Sequence, residues 1–261
     1  MRILLFLVVI TFASRVFAQE ITISPISTIP LKTEKFIGVD EYKNIYTVDR
    51  ATLFKSNDKE QIQFSDIQLG SIKSVDILNP LRITVFYDQF NTAVILDNRL
   101  NEITRINFNQ LDNFKNISYA QTASDRRLWI YNQDLQQLEL FDYRTNRVEK
   151  SSPPISQPVL GMTSNFNYCW LLTESELLKY NTYGSLIYKK PKGFIDQAFM
   201  TDGHLLVLDN GTFKILLKDA DEFQPLNLSE KDIEQFSMTG EILYIYRGDS
   251  LATYELKLPK I

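Results

Sequence analysis

The sequence predicts an all-β fold, a single six-bladed β-propeller with four-stranded blades, and three observations predict it. The first is a recurring apolar strand rich in aromatic and branched residues: Ile45-Tyr46-Thr47-Val48, Ile83-Thr84-Val85-Phe86, Leu128-Trp129-Ile130-Tyr131, Cys169-Trp170-Leu171-Leu172, Leu205-Leu206-Val207-Leu208 and Leu243-Tyr244-Ile245-Tyr246. Successive copies lie about 40 residues apart, the period of a four-stranded propeller blade. The second is the phrase around each copy. A short strand and a polar turn precede it; an acidic turn, another apolar strand, an Asn/Asp/Gly turn and an edge strand follow. The third is composition: 261 residues, 44% hydrophobic, with only 9 glycines and no charged block or low-complexity linker, suit one compact body.

In chain order, blade one covers residues 36–66, with an inner strand from Phe36 to Asp40 and the polar turn Glu41-Tyr42-Lys43-Asn44. Blade two covers 72–108, blade three 117–151, blade four 159–191, blade five 194–228 and blade six 232–258. The last hairpin of each blade turns through residues such as Asp142-Tyr143-Arg144-Thr145-Asn146, which favour tight reversals. Blade six has only three strands of its own. An open edge there would invite aggregation, so the β-rich segment Glu20 to Leu31 is expected to supply the fourth strand and close the ring. Pro25 and Pro30 suit an edge strand, which can lack some N–H donors.

The first 18 residues read as a signal peptide. Arg2 gives the positive start, Ile3 to Ala13 the apolar stretch, and Val16-Phe17-Ala18 a small-residue cleavage site before Gln19. The apolar run is far short of the about 20 residues that span a bilayer, and no cysteine follows the cut to take a lipid. The expectation is an exported protein, periplasmic or secreted, soluble, not a lipoprotein and without a membrane span once the signal is removed.

Without that segment, 26 basic residues face 32 acidic ones, a net charge of −6. Such a body repels phosphate backbones, and no nucleic-acid partner is expected. Cys169 is the single cysteine, so no internal disulfide forms. That favours a bacterial periplasm, where the sequons at Asn116, Asn210 and Asn227 carry no glycan.

Two phrases carry a resemblance: Val94-Ile95-Leu96-Asp97-Asn98-Arg99-Leu100-Asn101-Glu102-Ile103 and Leu178-Lys179-Tyr180-Asn181-Thr182-Tyr183-Gly184-Ser185-Leu186-Ile187. They resemble the strand–turn–strand element of NHL-type and related bacterial periplasmic β-propellers. The resemblance implies the architecture and no catalytic residue. The Gly-His…Trp-Asp pair, the double glycine of kelch type and the Ser-x-Asp-x-Gly box of sialidase type are missing.

Chemistry is sparse. His204, the only histidine, falls in the turn Thr201-Asp202-Gly203-His204, and no Gly-x-Ser-x-Gly elbow accompanies it. One Cys and one His do not make a structural zinc site. Asp219-Ala220-Asp221-Glu222 lacks the glycine and spacing of a calcium loop. No catalytic residue, metal or cofactor is expected. Asp40, Asp76 and Asp196 on or near inner strands are candidates to line the central channel, where two carboxylates across a sugar would suffice for glycoside hydrolysis.

The turns between second and third strands share one face and carry Asp49, Asp88, Asp134, Glu174 with Glu176, Asp209 and Asp249. In blade two this turn, Tyr87-Asp88-Gln89-Phe90-Asn91, holds two aromatics where its counterparts are small and polar. Exposed aromatics mark protein interfaces. The expectation is therefore a non-enzymatic scaffold that binds an envelope protein through Tyr87 to Asn91, as an accessory subunit of an assembly or secretion complex. The rival expectation is a small-ligand or glycan site in the central channel.

Overall fold

A computed structural model describes residues 21–228 and 230–259. It contains six four-stranded antiparallel sheets arranged as a propeller. The signal-peptide reading of residues 1–18 lies outside the described residues.

The inner strands are Lys35–Val39, Ser74–Asp76, Ile117–Thr122, Val159–Ser164, Ile195–Thr201 and Gln235–Thr239. All six repeated apolar phrases lie in the second strands: Ile45–Asp49, Ile83–Tyr87, Arg127–Asn132, Tyr168–Thr173, His204–Asp209 and Ile242–Tyr246. Positive φ at hairpin residues such as Asn91, Asn146, Asp202 and Asn210 explains the bias towards Asn and Asp, whose short polar side chains tolerate the left-handed region.

Each second strand is covered on both faces while the outer strands stay largely exposed, and the strand period of two distributes the second strand's side chains between two neighbours. In blade two, Ile83, Val85 and Tyr87 pack towards blade one with Tyr46, Val48 and Leu53. Phe86 turns the other way, towards Leu128 and Ile130 of blade three. The same division places Trp129 and Tyr131 against blade four and Trp170 and Leu172 against blade five. Apolar residues at consecutive positions are thus required, because neither face of a second strand meets water.

Closure follows the sequence. Strand Thr22–Pro30 pairs antiparallel with Ser250–Lys257, from Thr22↔Lys257 to Pro30↔Ser250, and forms the outer edge of blade six. Its register shifts between Pro25 and Ser27, a bulge beside a proline that cannot donate to the ladder. The seam between blades six and one is also tied at the centre, where Phe36 N–H donates to Gln235 Oε1 at 2.6 Å.

Candidate functional site

The inner strands surround a cavity of about 950 Å³ that opens on the face of the first hairpin turns, called here the lower face. Its walls include Met162, Met200, Met238 and Phe199, and its mouth carries Glu41, Asp202 and Glu241. Three of the inner strands repeat Met-Thr near their ends, at Met162-Thr163, Met200-Thr201 and Met238-Thr239. The hydroxyls stitch neighbours together: Thr163 Oγ1 accepts the Met200 N–H at 2.9 Å, and Ser164 Oγ donates to the Thr122 carbonyl at 3.2 Å. Thr239 Oγ1 donates in the same way to the Val39 carbonyl across the seam.

Two of the three inner-strand carboxylates line this cavity. Asp40 Oδ1 accepts the N–H groups of Tyr42 and Asn44 at 2.9 and 2.8 Å, and Oδ2 accepts the Tyr46 hydroxyl at 2.9 Å. It is a buried structural acceptor. Asp76 accepts Leu78 N–H at 2.8 Å and, across the blade boundary, Thr122 N–H at 2.7 Å. Burial raises its carboxyl above the usual aspartate range, against the lowering effect of those N–H donors.

Asp196 corrects the third expectation: it is exposed and lies outside the central cavity. The ladder steps from Ile195↔Asp209 to Gln197↔Leu208, so Asp196 is the extra residue of a β-bulge, and a bulge breaks the alternation from which its direction was read. His204 Nδ1 accepts the Lys218 N–H at 3.0 Å, and burial lowers its pKa from the ordinary value.

The opposite, upper face carries the acidic turns, several of which are neutralised locally. Asp209 pairs with Lys214 at 2.6 Å, Glu176 with Lys189 at 2.5 Å, and Asp88 lies 3.6 Å from Lys73. Asp49 Oδ1 accepts the Glu34 N–H at 2.7 Å. Asp134, Glu174 and Asp249 are exposed without an ion pair among the described residues.

Tyr87 is also a correction. It is wholly buried, the last residue of its strand, and points with Val85 into the blade one–blade two core, where its hydroxyl has no hydrogen-bond partner among the described residues. Asp88 is half-buried and Gln89 is exposed. Phe90 is 47% exposed.

Asn91 is buried and acts as a clamp. Its Nδ2 donates to Asn109 Oδ1 at 2.9 Å and to the Lys115 carbonyl at 2.5 Å, and its Oδ1 accepts the Ile117 N–H at 3.0 Å. Asn109 Nδ2 in turn donates to the Phe90 carbonyl at 3.1 Å. The Lys115 ammonium reaches Glu139 Oε2 at 2.8 Å in a largely buried ion pair. The Phe90 turn and the connection from blade two to blade three are thereby one hydrogen-bonded unit.

That connection holds Phe114 out at 59% exposure, and the short 3-10 turn Ile67–Leu69 before blade two exposes Ile67 at 90%. Gly70, with φ 72, closes that turn against the Phe90 hairpin: a Cβ there would approach Gln89 Oε1 to 2.9 Å and the Phe90 ring to 3.6 Å. Sequence reasoning missed Ile67 and Phe114. Their signal was an apolar residue inside otherwise polar inter-blade segments, Ser65-Asp66-Ile67-Gln68 and Asp112-Asn113-Phe114-Lys115.

No helix among the described residues is long and apolar enough to cross a membrane. No family model matches the sequence, and no curated protein matches it. Solved structures are similar in fold. A catalytically inactive virginiamycin B lyase from Staphylococcus aureus, bound to quinupristin, aligns at 10% identity and TM-score 0.59, over 91% of this chain and 100% of that one. BamB from Moraxella catarrhalis aligns at 12% identity and TM-score 0.50, over 81% of this chain and 69% of that one. PorZ, a surface component of the type IX secretion system of Porphyromonas gingivalis, aligns at 12% identity and TM-score 0.51, over 92% of this chain but 39% of its own. With six closed blades and these neighbours, the chain is a six-bladed β-propeller of an architecture shared by bacterial enzymes and non-enzymatic propellers alike.

Proposed function

We propose that this propeller is an exported, non-enzymatic scaffold that docks another cell-envelope protein, as an accessory subunit of an assembly or secretion complex. The observation that carries the reading is the upper-face group of Ile67, Phe90 and Phe114, exposed apolar side chains of which Phe90 and Phe114 sit on one hydrogen-bonded frame and Ile67 on the turn that Gly70 packs against it. Exposed apolar groups on a rigid platform cost little to order on binding, and aromatic anchors dominate protein interfaces. Asp112 and Asp134 are exposed on the connection and turn beside them, which suits a partner with an apolar centre and a basic rim. The similarity to PorZ supports the same reading.

Cross-linking in intact cells with a photoreactive residue at position 67, followed by mass spectrometry, tests it. One specific envelope protein recovered from position 67, and absent from a probe at the lower-face position 42, is the expected result. No partner-specific adduct from position 67 contradicts the reading.

The central cavity favours a second reading, a small ligand or glycan in the channel, with hydrolysis as its extreme form. Asp40 argues against hydrolysis, since both its oxygens are saturated by structural donors. The S. aureus lyase was inactivated by replacing a histidine; His204 here is engaged by the Lys218 backbone in a hairpin.

A further inference from the structure

We propose that a cavity of about 440 Å³ on the lower face, between blades two and three, binds an anionic sugar: a pyranose ring bearing a carboxylate or a phosphate. Four of the chain's 11 arginines line it, namely Arg82, Arg126, Arg127 and Arg144. They converge from one turn of blade two and two turns of blade three. Asp125, Asp142 and Glu149 line it as well, so four positive charges against three negative leave the wall at +1 in a chain of net charge −4.

Two of these guanidiniums are already engaged. Arg127 Nε pairs with Glu149 at 2.7 Å, and Arg144 Nη2 lies 3.7 Å from Asp142. Arg82 and Arg126 enter no ion pair among the described residues. Arg82 is half-buried and donates from Nη1 to the Tyr143 hydroxyl at 3.3 Å, which fixes the guanidinium and leaves other N–H groups free. A fixed planar fork with spare donors suits bidentate binding of a carboxylate or phosphate.

The backbone supplies a second, independent observation. The Arg127 N–H closes a turn on the Ser124 carbonyl, with Asp125 at φ 53 and Arg126 at φ 65. Blade five makes its corresponding turn with Asp202 at φ 45 and Gly203 at φ 88, the residue types such a turn prefers. Arg126 thus occupies a left-handed position that favours glycine, and the strain is retained where it sets a guanidinium at the cavity.

The rest of the wall selects a ring over a bare ion. Phe166, 39% exposed, and Tyr143 present aromatic surface, and the volume falls in the range of small-molecule sites. The exposed Glu149 carboxylate offers an acceptor for sugar hydroxyls. This site lies on the face opposite the Ile67–Phe90–Phe114 group and stands or falls separately from the docking reading.

Isothermal titration of the folded chain with glucuronate, glucose 6-phosphate, glucose and inorganic phosphate tests the proposal. At least one anionic sugar is expected to bind at least tenfold more tightly than both glucose and inorganic phosphate. Which of the two does so distinguishes the carboxylate from the phosphate. Arg126→Gly should weaken that binding at least fivefold while its melting temperature is no lower than that of the original chain. Arg82→Lys, which keeps the charge and loses the fork, should weaken it as well. No saturable binding, equal binding of glucose or of inorganic phosphate, or full affinity in Arg126→Gly would overturn the proposal.

Discussion

The Tyr246 hydroxyl accepts the Thr33 N–H at 3.1 Å and lies 2.7 Å from the Thr33 carbonyl oxygen. Tyr246 ends the second strand of blade six, and Thr33 is the chain on its way from the closing strand to blade one. Its ring packs on Phe36 with centroids 6.0 Å apart. One side chain therefore joins the two ends of the ring. Tyr246→Phe keeps the packing and loses the hydroxyl, so it should cost about 1–2 kcal/mol, or a few degrees of melting temperature in a domain of this size. Removal of residues 21–31 should cost more, at least about 5 °C, because Ser250–Lys257 loses its whole outer partner. Equal melting of the shortened and full chains would contradict closure by this strand.

The buried ion pair beneath the Phe90 turn makes a different prediction. Glu139 Oε1 accepts Asn132 Nδ2 at 3.2 Å, and among the described residues Oε2 has only the Lys115 ammonium, at 2.8 Å. Lys115→Met leaves a buried carboxylate without its cation and should destabilise the fold by about 3 kcal/mol or more. The double variant Lys115→Met/Glu139→Leu should recover most of that loss. Urea unfolding of the three proteins checks it, and additive losses in the double variant would show that the two charges are not coupled.

The ring was legible in the sequence because the geometry of a propeller imposes it directly. Second strands buried on both sides must be apolar at consecutive positions, and six such runs at even spacing allow few other folds. The same burial hid Tyr87. Alternation assigns no solvent face to a strand that has none, so one residue at the strand's end, Tyr87, was read as part of the turn. Asp196 failed for another reason, since the bulge that displaces it leaves no mark in the residue pattern. The arginine cavity draws on positions 82, 126 and 144, which only the third dimension brings together.

Asp76 gives the channel a signed pH dependence. Burial holds its carboxyl above the aspartate range in the folded chain, so the folded state keeps this proton where the unfolded state has released it. The contribution of this group to stability is fullest below the unfolded pKa and declines as pH rises towards the raised folded value. Compared with Asp76→Asn, which does not titrate, the original chain should lose relative stability as pH rises above the unfolded aspartate value of about 4. Denaturant midpoints of both proteins above that value decide the sign; a relative gain with rising pH contradicts it.

Cys169 is fully buried, and burial pushes its thiol well up from the ordinary value. Thiolate is the reactive form. A thiol reagent should therefore label the native chain at least about a hundredfold more slowly than the chain in denaturant, with a rate set by opening of the blade three–blade four core. Rapid labelling under native conditions would mean that this core is not closed as described.

Phe90 and Phe114 are the anchors of the proposed docking of an envelope partner on the upper face. The most direct measurement compares the affinity of the cross-linked partner for Phe90→Ser/Phe114→Ser with its affinity for Tyr42→Ser on the lower face, each beside a melting curve. The upper-face pair should bind at least tenfold more weakly, about 1.4 kcal/mol or more, with a melting temperature within about 2 °C of the original, while Tyr42→Ser binds as before. Undiminished affinity in the upper-face pair, or loss of affinity only in Tyr42→Ser, would contradict the account.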